Sequence, residues 1–365
     1  TQNTAIGNGA LDACTTGVDN TSVGVHANGA VTTGSYNMAF GRNANNGCTT
    51  GNANIAIGYT SLSANTASHN TAVGHTALVA NTSGSGNTAV GMNALTANTT
   101  AGNLTAVGYA ALTANTTGTN LVAVGKDALQ ANTEGHNNTA VGLEALQTNT
   151  TGDNNTAVGT GSLALATTAD DNTAVGRAAL GVNTTGHSNS AVGTSALDAN
   201  TTGYYNNAVG RHSLSANTTG VTNNSFGYAS LFTNTTGSNN CAFGSSALEA
   251  NTTASNNTAF GHATLYSTTT GENNTAVGYI ALQDNTTGER GVALGGFALN
   301  NNTTGDRNVA VGYNAMGNNT TGQYNVAVGA YALDATTTVD RLTAIGYFAL
   351  SNNTSGTANT GIGNT

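Results

Sequence analysis

An all-β fold, a parallel β-solenoid (β-roll) of about 22 seventeen-residue coils, is the class this sequence predicts. Three observations predict it. Glycine recurs at 7, 24, 41 and 58, then at 74, 91, 108 and onward to 363, at a constant interval of seventeen apart from one of sixteen between Gly58 and Gly74. The residue before each of these glycines is always apolar, and the residue two before is always Ala, Ser or Gly. Pro is absent and charged residues are only 6%, whereas disordered chains of low hydrophobicity carry charge, Pro and no phase. A unit this short cannot bury a core alone and must stack on its neighbours. The expectation is a single continuous solenoid domain over 1–365, with no internal boundary and with uncapped ends.

Columns are numbered here from the repeat glycine, so that −1 precedes it and +4 lies four places beyond. Asn155-Thr156-Ala157-Val158-Gly159 is a typical opening. Thr or Val at −3, a small residue at −2 and an apolar residue at −1 predict a short strand by β-propensity and alternation. Strands stacked in register at about 4.8 Å would make a pile roughly 105 Å long. A second short apolar element is expected at +3 and +4, where Ala, Ser or Thr precedes Leu in 18 of 21 complete units. Met316 replaces that Leu once, and Asn28 and Asn45 replace it near the start. The Val and Leu columns are the predicted core, each buried side chain contributing about 1.5–3 kcal/mol.

The turn follows. Thr stands at +8 in all 21 units, usually after Asn and before another Thr, and most often ahead of a second glycine at +10. Asn and Thr can bond nearby backbone, and the second glycine is expected to supply positive φ. Stacked Asn is expected to form a ladder along the pile. The one shortened unit loses its residue in this turn, near Ala67-Ser68-His69. Columns +1, +2, +5 and +11 vary freely and hold nearly all the charge, so they are expected to face solvent.

Neighbouring side chains on a strand point to opposite faces. The −1 column stays apolar and the −2 column stays small, so both faces read as packed. A coil this short has one small interior. The second packed face is therefore expected to meet another chain; a tight bend that admits only small residues is the competing explanation.

Several classes are excluded or disfavoured. A net charge of −9 with only seven Lys plus Arg leaves no basic footprint for nucleic acid. No apolar run approaches the length of a membrane span. Cys14 and Cys48 share a column two coils apart, roughly 9–10 Å, beyond disulfide reach, and Cys241 lies in another column. The acidic residues are scattered and the calcium-roll signature is missing. His136 and His187 share a column at roughly 14 Å, too far for one zinc, so no cofactor or metal is expected. No nucleophile–base set or carboxylate pair can be assembled, and no enzyme activity is expected. The repeated Asn-Thr-Thr sequon is read as turn and ladder chemistry rather than glycosylation, because glycans on adjacent coils would collide.

At Asn-Thr-Ala-Val-Gly-x-x-Ala-Leu the chain resembles the head repeats of YadA-like trimeric autotransporter adhesins. It is more similar still to the Asn-Thr-Ala-Ile-Gly-Tyr-x-Ala-Leu-x-Asn-Asn-Thr-Thr-Gly arrays of phage tail-fibre and bacterial surface-fibre proteins, as Gly278-Tyr279-Ile280-Ala281-Leu282-Gln283-Asp284-Asn285-Thr286-Thr287-Gly288 shows. The resemblance covers the whole chain. It implies a left-handed roll, a homotrimer around one axis and an extracellular role on a cell surface or virion. The adhesin repeat is usually shorter, and no stalk, neck or anchor accompanies it here.

The functional expectation is a non-catalytic structural fibre or adhesin, a repetitive shaft for attachment or spacing whose partner is itself. A subunit of a head-to-tail extracellular filament is the alternative. An ice-binding solenoid is a third reading, prompted by the unbroken Thr column. Aromatic residues gather at variable columns of the last coils: Tyr279, Phe297, Tyr313, Tyr331, Tyr347 and Phe348. These six are the candidate site, for surface contact or for stacking on a cell-surface glycan.

Overall fold

The structure is a computed structural model that describes residues 2–364. It is an all-β parallel solenoid of seventeen-residue coils, without a helix among the described residues. The described residues up to 185 and those from 186 onward form two compact units, and each repeats the same coil. The first carries β1 (Thr4–Ile6) through β11 (Thr173–Val175), and the second β12 (Ser190–Val192) through β22 (Thr360–Ile362). Each strand occupies columns −3, −2 and −1, and within each unit it pairs in parallel with the strands of adjacent coils. Like columns meet: Thr156 pairs with Thr173, Ala157 with Ala174 and Val158 with Val175.

The repeat glycine is fixed by two constraints. Its φ lies in a region that side-chain-bearing residues rarely enter, as at Gly142 (140°). It also stacks on the glycine above: a Cβ on Gly142 would stand 2.5 Å from the Gly159 carbonyl oxygen.

The second apolar element is not a strand. Columns +1 to +6 form consecutive tight turns instead. Ala145 N–H donates to the Gly142 carbonyl at 3.4 Å and Asn149 N–H to the Leu146 carbonyl at 3.3 Å. Residue +2 has positive φ, as at Glu144 (57°), and so has the core leucine at +4, as at Leu146 (50°). Left-handed backbone costs an L-residue about 1–2 kcal/mol. Burying Leu returns about 1.5–3 kcal/mol, so core filling outweighs backbone preference at +4. Asn28 and Asn45 accept the left-handed conformation more readily, but they place amides in the core. Asn28 Nδ2 then donates to Ser22 Oγ at 2.7 Å and Asn45 Nδ2 to Asn28 Oδ1 at 2.8 Å.

The core is smaller than expected. Ala at −2, Ala or Ser at +3 and Leu at +4 point inward and are buried, whereas the −1 column faces outward. Val158 is 36% exposed while its neighbour Ala157 is fully buried. The Val column therefore does not belong to the interior of the coil.

Two columns of buried asparagine complete the interior, at +7 and +13. Asn98 Nδ2 donates to Asn81 Oδ1 at 2.8 Å and to its own coil's Ala101 carbonyl at 3.0 Å. That carbonyl also accepts Asn87 Nδ2 from the +13 column at 2.9 Å, so two side-chain amides saturate one backbone oxygen. Asn87 Oδ1 in turn accepts the Leu104 N–H at 3.0 Å. At +8 most threonines donate their hydroxyl to the carbonyl of the next, as Thr133 does to Thr150 at 3.1 Å. These hydroxyl protons hold coil to coil.

The second glycine, at +10, is not at positive φ; that burden falls on +12, where Asn103 (60°), Asn137 (57°) and Asp171 (58°) are left-handed. Ala101 and Ala169 stand in the +10 column and stay buried. In the shortened coil Ala67 takes the +10 role, its carbonyl accepting Asn65 Nδ2 at 2.8 Å and Asn54 Nδ2 at 2.9 Å. The missing residue is therefore the one at +9, and the register of Ile55–Ile57 on Thr71–Val73 is kept.

Ladder defects explain orphaned polar atoms. Beyond Asn65, the +7 column is broken at Ala166, Thr268 and Thr336. The buried Oδ1 atoms without a partner include those of Asn149, Asn251 and Asn319, each one coil before a break. Ala166→Asn would donate to Asn149 Oδ1 and to the Ala169 carbonyl. It is expected to stabilise its unit by about 1–3 kcal/mol, the penalty of an unmade buried hydrogen bond. Thermal unfolding followed by circular dichroism checks this; an unchanged or lowered midpoint would show that the gap has closed around alanine.

Candidate functional surface

Within each unit the outward face of the sheet carries the −3 and −1 columns. The −1 column is apolar in all 22 coils, yet Val90, Val192, Val277, Leu294 and Ile345 are 36–41% exposed. Phe226, Phe243 and Phe260 stack along it, with ring centroids 4.5 and 4.7 Å apart. At Val292, Val309 and Val326 the −3 column is apolar as well, so these coils present two branched apolar residues on one face. Exposed side chains on a soluble surface drift in polarity, and this column does not.

The six predicted aromatic residues lie along one edge of this face, at +1 and +2, just beyond the strand. The structure brings them into a single row. Tyr279 meets Phe297 at 5.6 Å, Phe297 meets Tyr313 at 5.5 Å and Tyr313 meets Tyr331 at 5.6 Å, tilted by 64–68°. Tyr331 then stacks on Phe348 at 4.8 Å, and Phe348 meets Tyr347 edge-on at 4.5 Å. His262 extends the row at its other end, 5.6 Å from Tyr279. Tyr279, Tyr313 and Tyr347 are 50–55% exposed. Such a row can cover a sugar face or receive a cation from a neighbouring chain.

The opposite edge, at +11 and +12, is more constrained than its variability suggests. In many coils the side chain at +11 accepts the backbone N–H of the same column in the preceding coil. Asn52 Oδ1 accepts the Ser35 N–H at 2.8 Å, and Asp306 Oδ1 accepts the Glu289 N–H at 2.8 Å. Many residues at +11 are thus short acceptors, and the column is not free. Residue +12 is exposed and carries Arg290, Arg307 and Arg341. Arg307 Nη1 donates to Tyr324 Oη at 2.7 Å, with its guanidinium 5.2 Å from that ring. Arg290 lies 3.6 Å from Glu289. Sequence reasoning did not single out these arginines; their spacing of one and then two repeat periods was the available signal.

Elsewhere the chemistry is structural. His136 Nδ1 accepts the Thr119 N–H at 3.0 Å, and His136 N–H donates to Asp153 Oδ1 at 2.6 Å. His187 packs on Tyr204 and Tyr205 instead. The three cysteines are free thiols, and burial pushes the Cys48 thiol above its ordinary pKa. The sequon asparagines at +7, such as Asn98 and Asn115, are fully buried and hydrogen-bonded. No helix of the described residues is long and apolar enough to cross a membrane. No protein-family model matches the chain, and no curated protein matches it.

Proposed function

We propose that this chain is a non-catalytic structural element of an extracellular fibre, used for attachment or spacing on a cell or virion surface. Its copies associate side by side through the outward face of the sheet, as a left-handed homotrimer. The observation that carries the reading is the −1 column: apolar in 22 of 22 coils although it lies outside the coil's own core. A partner of the same repeat would cover such a column coil by coil, whereas a small ligand would cover a few coils. The resemblance of the repeat to surface-fibre arrays supports the handedness, the trimer and the location.

Molar mass from light scattering in dilute solution tests this reading. A discrete mass of three times the chain is expected. A mass equal to one chain would remove the proposal, and a broad distribution of large masses would favour a head-to-tail filament.

A further inference from the structure

We infer that the two edges of the outward sheet face are complementary, so that copies of this chain meet in parallel and in register, the +12 edge of one against the +1/+2 edge of the next. The inference rests on the proposed self-association and adds its direction, register and contact residues.

The observation concerns the six arginines. All six are exposed and all lie on one of these two edges. Each has an aromatic or acidic residue on the opposite edge, across the adjoining strand. Tyr36 stands six places before Arg42, Asp171 six before Arg177 and Tyr205 six before Arg211. In the last coils the order reverses: Tyr313 follows Arg307 by six, Tyr347 follows Arg341 by six, and Phe297 follows Arg290 by seven. Within the chain these pairs do not touch, because a strand separates them by roughly 20 Å. The side chains of Arg42, Arg177, Arg211 and Arg341 have no hydrogen-bond or ion-pair partner among the described residues.

Symmetry converts the pairing across a strand into pairing across chains. Within each unit, rotation about an axis parallel to that unit's own solenoid axis brings one edge of the face against the other edge of the neighbouring copy, at the same height. Arg307 of one copy then meets Tyr313 of the next, and Arg177 meets Asp171 of the next. Guanidinium on an aromatic ring and guanidinium on a carboxylate are both favourable contacts. An antiparallel dimer would bring different coils together and lose the match. On this reading the aromatic row is a seam between chains rather than a glycan platform.

The test is a clash and its compensation. Asp171→Arg, Tyr313→Arg and Tyr347→Arg together set arginine against arginine in three coils. The temperature at which scattering mass falls to that of one chain is expected to drop clearly. Adding Arg177→Asp, Arg307→Tyr and Arg341→Tyr restores each pair with its edges exchanged, and most of the lost temperature is expected to return. The compensating residues lie about two Debye lengths from the clash within one chain, so recovery can arise only between chains. Circular dichroism of both variants checks that the coils are intact, and a misfolded first variant still leaves the compensated one to compare with the parent. An unaltered temperature in the clash variant, or a loss without recovery, overturns the seam while self-association stands. A parent protein already at the mass of one chain overturns both.

Discussion

Gly142→Ala is expected to destabilise its region by about 3 kcal/mol or more, whereas Gly152→Ala, in the +10 column of the same coil, is expected to cost little. Gly142 has φ of 140°, and its Cβ would meet the Gly159 carbonyl at 2.5 Å and 2.7 Å, through oxygen and carbon. Backbone strain of this kind costs about 1–3 kcal/mol. Overpacking against rigid backbone adds about 1–3 kcal/mol, and the contact repeats coil upon coil, so neither glycine can move aside alone. A Cβ on Gly152 would start closer still to the Ala169 carbonyl oxygen and 2.5 Å from Asn149 Oδ1, so φ and the alanines already in the column, not clash distance, separate the two glycines. Ala101, Ala169 and Ala254 occupy that column, nearly or fully buried, and the backbone there is not left-handed. Alanine moreover restricts the unfolded chain. Repeat proteins need not unfold in one step, so hydrogen exchange read coil by coil is the suitable measurement. Faster exchange confined to the coils of Val141 and Val158 is the expected result for Gly142→Ala. Equal effects of the two substitutions would show that the first glycine is kept for something other than its conformation.

This contrast marks what the sequence reveals and what it hides. The period, the strand at −3 to −1 and the asparagine ladder were legible because each residue type repeats in a fixed column. The two glycines look alike in a set of columns, but only one needs positive φ; the second sits where side-chain amides crowd one carbonyl. The leucine at +4 looks like a strand residue because burial, not backbone preference, selects it there. Its left-handed φ, as at Leu146 (50°), shows a turn whose apolar residue offsets the strain of its conformation by filling the core. Valine at −1 and leucine at +4 are equally apolar, and composition cannot tell the inside of a coil from the outside. The alternation argument read both faces as packed; the structure buries the −2 face inside the coil and leaves the −1 face half-exposed, so packing of that face belongs to the proposed association. The candidate aromatics were legible as a cluster at variable columns. The row they form, and the arginines on the opposite edge, depend on which columns become corners.

Charge on the outward column is the change expected to matter most for the proposed assembly. Val124→Asp together with Val311→Asp would place one carboxylate on the outer face of each unit. Both side chains are half-buried and point away from the coil interior, whereas Ala123 and Ala310 beside them are fully buried. The coils should therefore form as before, with β circular dichroism unchanged. In a parallel trimer each substitution would bring three carboxylates to one height around the axis. Burying an unpaired carboxylate costs several kcal/mol, and three like charges repel at short range. Lost valine burial adds about 1.5–3 kcal/mol per chain. Six carboxylates in one assembly would then oppose association by well over ~10 kcal/mol, which few interfaces withstand. The scattering mass is expected to fall to that of a single chain, with the fold retained. Thr151→Asp with Thr321→Asp, on the exposed +9 column, is the control and should leave the mass unchanged. A variant that keeps the parent's oligomeric mass would place the association surface elsewhere, and an apolar column held through 22 coils would need another cause. A variant that loses its β signal would instead mean that the outward valines hold the coil itself, which their exposure argues against.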